Sequence, residues 1–198
     1  MSYDASVLEP RPWTTLQAEW AVEFGTAVDP ALALAVELCC GVGHIGQAAI
    51  AALADWRLVQ VDIDAHACEL ARANAASNGL ADRVEVRAGD VATALRPGEI
   101  FAVVLADPPY LPTDEVAAWP ADPVGAIDGG ADGLRLLERC LDTAARHVAP
   151  NGAVLVQVRG ARQAVALRAT AHELGLEAGE VREHDADRAV ALFRPYPG

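Results

Sequence analysis

The sequence predicts an α/β fold built on a mostly parallel sheet of seven strands, and three observations carry that prediction. Short apolar runs alternate with helical patterns from residue 34 to residue 174, the mark of strand–helix–strand units. Residues 101–106 (Phe-Ala-Val-Val-Leu-Ala) are apolar without a break, as in a strand covered on both faces. Two strand-like segments close the chain with no helix between them, so an antiparallel strand ends the sheet.

Residues 1–30 read as an arm and a leading helix. Trp13 and Trp20 lie at helical spacing there, which core packing produces. Residues 31–198 make the main domain. Residues 34–39 (Leu-Ala-Val-Glu-Leu-Cys) read as a buried strand, followed by a turn at Gly41 and Gly43 and a helix over 45–55. A second strand covers 58–62, and an alanine-rich helix covers 65–78 until Asn78-Gly79 stops it. Residues 83–87 alternate as a third strand and 101–106 form the fourth. A proline-rich loop runs from 107 to about 130, a helix covers 132–148, and Pro150-Asn151-Gly152 ends it. A fifth strand at 153–158, a helix at 161–174 and strands at 177–183 and 188–193 complete the chain. Right-handed crossovers bring the loops at the carboxyl ends of the parallel strands to one sheet edge, where ligands bind.

The chain has 198 residues, with 28 acids against 15 bases and a formal net charge of −13. Every base is an arginine. A Schiff-base lysine and a phosphate-loop lysine are therefore excluded. The acidic balance disfavours nucleic acid and anionic membrane surfaces, and no apolar run is long enough to cross a membrane. The segment 1–12 lacks a signal pattern. Cys39, Cys40, Cys68 and Cys140 form neither a CxxC pair nor a zinc spacing, so free thiols in a cytoplasmic protein are expected. His66, His147, His172 and His184 share no metal spacing and read as surface residues, while His44, in the glycine turn, reads either as a ligand contact or as a capping or packing residue. No metal site is expected.

Chemistry-bearing residues follow the strands. Gly41 and Gly43, directly after the first strand, let a backbone pass close to a ligand. Asp62 ends the second strand, about 20 residues on, where an acid can hold ribose hydroxyls. Asp90 follows the third strand and can accept from an adenine amino group; Asp64 is the better helix cap. Together these make a nucleoside-binding edge. After the fourth strand comes Asp107-Pro108-Pro109-Tyr110. Its prolines lock the backbone and remove two N–H donors. Asp107 and the Pro108 carbonyl are then fixed acceptors beside the planar face of Tyr110, suited to a flat NH2-bearing group.

These residues resemble the class I S-adenosylmethionine-dependent methyltransferases that act on nitrogen and carry an Asn/Asp-Pro-Pro-Tyr motif, with their Rossmann-like seven-stranded sheet. Residues 8–14 (Leu-Glu-Pro-Arg-Pro-Trp-Thr) and 126–134 (Ala-Ile-Asp-Gly-Gly-Ala-Asp-Gly-Leu) resemble segments of the HemK/PrmC-like glutamine methyltransferases in particular. The resemblance implies a single-domain member without the N-terminal helical domain. It implies S-adenosylmethionine as cofactor, with Glu37 reaching the methionine ammonium indirectly or through water, Gly41 and Gly43 under the methionine, Asp62 at the ribose and Asp90 at the adenine. Asp107, Pro108 and Tyr110 are the implied catalytic residues, and Asp107, Pro109, Tyr110 and Thr14 the implied acceptor-binding ones. Three positions depart from the family pattern: Asp107 stands for asparagine, Cys39 for the first loop glycine, and Trp13 for an acidic residue.

The expected acceptor is an amide or amino nitrogen of a protein, glutamine-like, or of a small molecule. An RNA or DNA amino-methyltransferase working with a partner subunit is the alternative; a non-catalytic cofactor-binding subunit is another. Against nucleic acid stand six acids and no base between Asp107 and Asp132. Trp119, with Pro120 and Pro123, reads either as part of an acceptor lid or as a plug under a long loop. The late arginines, among them Arg159, Arg182 and Arg188, read as solvated or paired with acids.

Overall fold

A computed structural model describes residues 1–197; Gly198, at the end of the expected domain, lies outside the described residues. The seven strands are β1 (Leu34–Leu38), β2 (Arg57–Asp62), β3 (Val84–Ala88), β4 (Phe101–Ala106), β5 (Val148–Val158), β6 (Leu176–Asp185) and β7 (Arg188–Pro195). The helices are α1 (Thr15–Gly25), α2 (His44–Ala52), α3 (Ala65–Ser77), the short α4 (Val124–Ile127), α5 (Arg135–His147), α6 (Gly160–Ala166) and α7 (Arg168–Glu173). The sheet order is β3-β2-β1-β4-β5-β7-β6. Pairing is parallel from β3 through β5, and β7 runs antiparallel to both β5 and β6.

Two apolar layers hold the helices on opposite faces of the sheet. On β4, Val103 and Leu105 face a layer containing Trp20 of α1, Ile50 of α2 and Ala75 of α3. Val104 and Ala106 face the layer of Leu141 on α5, Ala164 on α6 and Ala171 on α7. Period-two alternation thus splits one unbroken apolar run between two cores.

The element boundaries differ from the sequence reading in two instructive places. β5 begins at Val148, ahead of Pro150, because a register shift lets it pair from Phe101↔Val148 and resume at Val103↔Ala153. Proline is tolerated there because the irregularity releases it from the ladder. The helix expected at 161–174 is broken at Leu167 into α6 and α7. His147, expected at the surface, is buried, and its Nδ1 lies 2.8 Å from the Glu99 carbonyl.

The chain leaves β1 toward one edge of the sheet and returns to add β4 on the other side. The turns after β1 and β4 therefore sit side by side at a topological switch point, where crevices form. The Asp107 amide donates to the Leu38 carbonyl at 3.4 Å and ties the two turns together. Gln17 of α1, fully buried, donates its amide to the Ala106 and Leu155 carbonyls at 3.0 and 2.8 Å. It anchors the carboxyl end of β4 just ahead of Asp107. Replacing Gln17 by leucine keeps the volume and removes both bonds. It should cost about 1–3 kcal/mol in urea denaturation, with the slope unchanged.

Candidate functional site

Two adjoining cavities open at the switch point. The larger, about 290 Å³, runs along the turn after β1 and is lined by Gly41, His44, Asp62, Asp90 and Thr14 among others. The smaller, about 110 Å³, lies over the turn after β4 and is walled by Trp13, Pro108, Tyr110 and Trp119. Asp107 and Pro109 line both.

The glycine turn is held from below by buried polar side chains. The Gln60 amide donates to Glu37 Oε2 at 2.5 Å and to the Gly43 carbonyl at 3.0 Å. Gln47 donates to Gln60 Oε1 at 3.0 Å and to the Ala71 carbonyl at 2.9 Å, and the Gly46 amide donates to Glu37 Oε2 at 3.2 Å. Gly43 has φ +82°, and a Cβ there would stand 2.5 Å from Gln47 Nε2 and 2.7 Å from Gln60 Nε2. Gly41, at φ +51°, has no neighbour within 4 Å of a Cβ position. Gly43 is thus bare because the protein fills its space, and Gly41 is bare beside open cavity. Cys39 takes φ +56°, the left-handed conformation that glycine adopts most easily. Its Sγ lies 3.9 Å from that of Cys140; this neighbour and burial push the Cys39 thiol up.

Glu37 does not line the cavity. It is buried beneath the turn with Oε1 unpartnered, and burial pushes it up to about 8. Both its hydrogen bonds, from the Gly46 amide of α2 and the Gln60 amide of β2, support the turn, so any reach toward a methionine ammonium is indirect, as expected from the sequence. Asp62 faces the cavity: Oδ2 accepts from the Gly41 amide at 2.7 Å and Oδ1 from the Asp64 amide at 2.9 Å. Each oxygen keeps one lone pair for a ligand. Asp64 caps α3 through the His66 and Ala67 amides. Asp90 also lines the cavity, but Arg139 is already bonded to it at 2.6 and 2.7 Å. Thr14 lines the larger cavity rather than the smaller. Its Oγ1 donates to the Arg11 carbonyl at 2.7 Å, so it must accept from His44 Nε2 at 2.9 Å. Burial lowers His44 to about 4, so the ring is neutral.

On the other side, Asp107 is raised to about 7 by burial alone. Burial and the nearby Asp107 charge push Tyr110 up, so it stays a phenol. The segment 126–134 buttresses this turn. Leu111 and Gly129 exchange backbone bonds with Ile127 and Leu111 at 3.0 and 2.8 Å, and Gln163 donates to the Tyr110 carbonyl at 3.0 Å. A Cβ on Gly129 would lie 2.8 Å from the Pro109 carbonyl, and one on Gly133 would collide with that of Tyr110. The glycines of this segment are what lets two backbones touch.

Several site residues escaped the sequence reading. Trp13 is not core: it lines the smaller cavity, with Arg188 stacked 3.9 Å from its ring centroid, whereas Trp20 is core as expected. Trp119 is a half-exposed cavity wall, not a plug. Arg11 pairs with Asp122, and Arg159 with Glu115, joining the arm and the end of β5 to the loop over the cavity. The signal available in the sequence was that Trp13 and Arg11 both belong to the 8–14 segment. Among the described residues, no three His, Cys, Asp or Glu gather in a metal-binding group, and no helix is long and apolar enough to cross a membrane.

Comparison with known proteins adds to this geometry. The methyltransferase small domain family matches residues 27–119. A release factor glutamine methyltransferase of Gloeobacter violaceus is 34% identical over 163 residues, covering 80% of this chain and 56% of the relative. A ribosomal protein uL3 glutamine methyltransferase of Bradyrhizobium diazoefficiens is 31% identical, covering 83% and 51%. The chain thus spans about half the length of these curated relatives. Among solved structures, the hMettl16 catalytic domain in complex with a MAT2A 3'UTR hairpin superposes with TM-score 0.77 at 13% identity, over 99% of this chain and 75% of that one. The ribosomal protein L11 methylase of Lactobacillus delbrueckii subsp. bulgaricus gives 0.70 at 14%, over 98% and 84%. At these identities the superpositions speak for the fold.

Two predictions follow from the loop and its buried carboxyls. Gly43→Ala should cost about 2–4 kcal/mol, from left-handed strain plus overpacking, and Gly41→Ala only about 1 kcal/mol, both read by chemical denaturation. Glu37 and Asp107 both hold their protons more tightly folded than unfolded. Their contribution to stability is complete below the ordinary carboxylate range and is lost as pH rises through about 7 to 8. His44, lowered to about 4, changes stability only below its ordinary value of 6.5. The melting temperature should therefore fall between roughly pH 6.5 and pH 8.5, and Glu37→Gln should show a smaller fall.

Proposed function

We propose that the chain, which matches the methyltransferase small domain model over residues 27–119 and is similar to the release factor and uL3 glutamine methyltransferases, methylates an amide or amino nitrogen of a protein, using S-adenosylmethionine, in the cytoplasm. The observation that carries this reading is Asp107, a carboxyl standing where a cavity of cofactor size meets one of side-chain size.

The residues of the larger cavity fit an adenosyl cofactor. Gly41 leaves open the space a Cβ would fill, and Asp62 and Asp90 offer acceptors. Bound there, the cofactor supplies an electrophilic methyl group on a sulfonium. Asp62 accepts from ribose hydroxyls while holding the Gly41 amide. Glu37, Gln47 and Gln60 act only by keeping the turn in shape. In the smaller cavity, Asp107 and the Pro108 carbonyl accept from the acceptor NH2 and turn its lone pair toward the larger cavity. Pro109 and Tyr110 bound the acceptor plane. These bonds strengthen as positive charge develops on nitrogen.

The departure from asparagine finds a physical answer in burial. Near pH 7 a fraction of Asp107 is protonated, and a carboxylic acid both donates and accepts, as an amide does. A glutamine-like acceptor, with C=O beside NH2, is therefore compatible with this site.

Labelled S-adenosylmethionine and whole-cell extract, followed by separate protease and nuclease digestion, test the reading. Label released by protease alone is expected; label released by nuclease alone overturns the protein acceptor. Asp107→Ala should lower transfer about 10²-fold, whereas Asp107→Asn should retain it. Asp62→Ala should weaken binding of S-adenosylhomocysteine about tenfold by calorimetry. Full transfer by Asp107→Ala would sink the catalytic assignment.

A further inference from the structure

The turn after β1 carries a cysteine where the backbone favours glycine. Cys39 takes φ +56°, and among the described residues no other non-glycine has a left-handed backbone. Strain of this kind persists only where the surroundings hold it, and such positions gather at functional sites. In this conformation the Cys39 Sγ lies 3.9 Å from the Sγ of Cys140 on α5. Cys39 is half-buried and lines the larger cavity, whereas Cys140 is buried in the apolar layer under α5. A disulfide places its sulfurs about 2.0 Å apart, so the two thiols stand one short side-chain movement from bonding.

The other two cysteines are placed differently. Cys40 and Cys68 are both buried. The Cys40 Sγ lies 3.5 Å from the Gly41 carbonyl, and the Cys68 Sγ lies 3.6 Å from the Asp62 and Arg87 carbonyls. Of the four, Cys39 is the thiol open to a dissolved oxidant.

We propose that Cys39 and Cys140 form an oxidative modification site: a hydroperoxide entering the larger cavity converts the pair to a disulfide that clamps the turn after β1 to α5. The Cys39 thiolate attacks one peroxide oxygen. An S–O bond forms, the O–O bond breaks, and hydroxide leaves and is protonated to water, giving a sulfenic acid. The Cys140 sulfur then attacks the Cys39 sulfur. The S–S bond forms, the S–O bond breaks, and hydroxide leaves with the Cys140 proton as a second water. Two thiols are oxidised by two electrons and the peroxide is reduced. The Cys140 neighbour and burial push the Cys39 thiol up, so little thiolate is present at pH 7 and bond formation quickens as pH rises.

Cys140 sits inside the helical span of α5 and is packed in the core, so Cys39 and its turn do the moving. Gly41, two residues on, gives its amide to Asp62 at 2.7 Å on the cavity wall. The linked form therefore binds an adenosyl ligand less well, and a bound ligand shields Cys39. This coupling rests on the adenosyl reading of the cavity; the bond itself does not.

Hydrogen peroxide at mildly alkaline pH, followed by thiol blocking and non-reducing peptide mapping by mass spectrometry, tests the site on reduced wild type, Cys39→Gly and Cys140→Ser. Glycine takes the left-handed backbone without strain, and melting curves check the fold of both variants. Wild type should yield a Cys39–Cys140 linked peptide that dithiothreitol releases, and saturating S-adenosylhomocysteine should slow its formation. By calorimetry, the linked protein should bind S-adenosylhomocysteine about tenfold more weakly than the reduced protein and regain affinity on reduction. Both variants should keep their affinity through the same treatment. Free thiols after treatment, oxidation of Cys39 without a bond, a Cys40–Cys68 bond in its place, or undiminished affinity in the linked protein each overturns the proposal while the adenosyl reading stands. No binding of S-adenosylhomocysteine by reduced wild type overturns the adenosyl reading and the coupling with it, and the linked peptide still decides the modification site.

Discussion

The site depends on a small knot of buried amides and one carboxyl beneath the turn after β1. Gln60 bridges Glu37 and the Gly43 carbonyl, and Gln47 bridges Gln60 and α3. Buried polar groups of this kind stabilise only when paired. Here the Gly43 carbonyl and the Gly46 amide are paired with the knot, which holds the turn from below, while Glu37 Oε1 and Gln47 Oε1 stay unpartnered. Gly43 can only be glycine because the knot occupies the space of its Cβ, and Gly41 then presents an open backbone to the cavity. Asp62 completes the arrangement from above by holding the Gly41 amide.

The same device recurs on the acceptor side. Gln17 fastens the end of β4, and Gln163 fastens the Tyr110 and Gly133 carbonyls. Gly129 and Gly133 allow the supporting segment to lie against the Asp107–Tyr110 turn without a side chain between them. Amides suit this work better than charges, because an amide both donates and accepts and carries a smaller desolvation cost. The carboxyls of Asp62, Asp90 and Asp107 are left to face the cavities.

Charge acquires a different meaning in three dimensions. Along the chain, residues 107–132 are acidic without relief. In space, Arg11 meets Asp122 and Arg159 meets Glu115, while Asp128 and Asp132 bind backbone amides of their own loop. The arginines that lie far away in sequence thus pin the loop over the smaller cavity. Arg188 packs on Trp13 while paired with Asp185, so its charge is already engaged.

The sequence by itself determined the strand order of chemistry. Apolar runs, glycines after β1 and acids after β2 and β3 are local signals, set by backbone freedom and by side-chain period. The Asp-Pro-Pro-Tyr turn after β4 is local too, because proline acts on its own residue and its neighbour. The tertiary structure alone decided which of these residues face a ligand. It put Glu37 under the turn, moved Thr14 to the larger cavity, took Trp13 out of the core and joined Arg139 to Asp90 across 49 residues of chain. Those outcomes depend on how separate elements pack and on which polar groups must find partners when buried, and neither is written in any window of neighbouring residues.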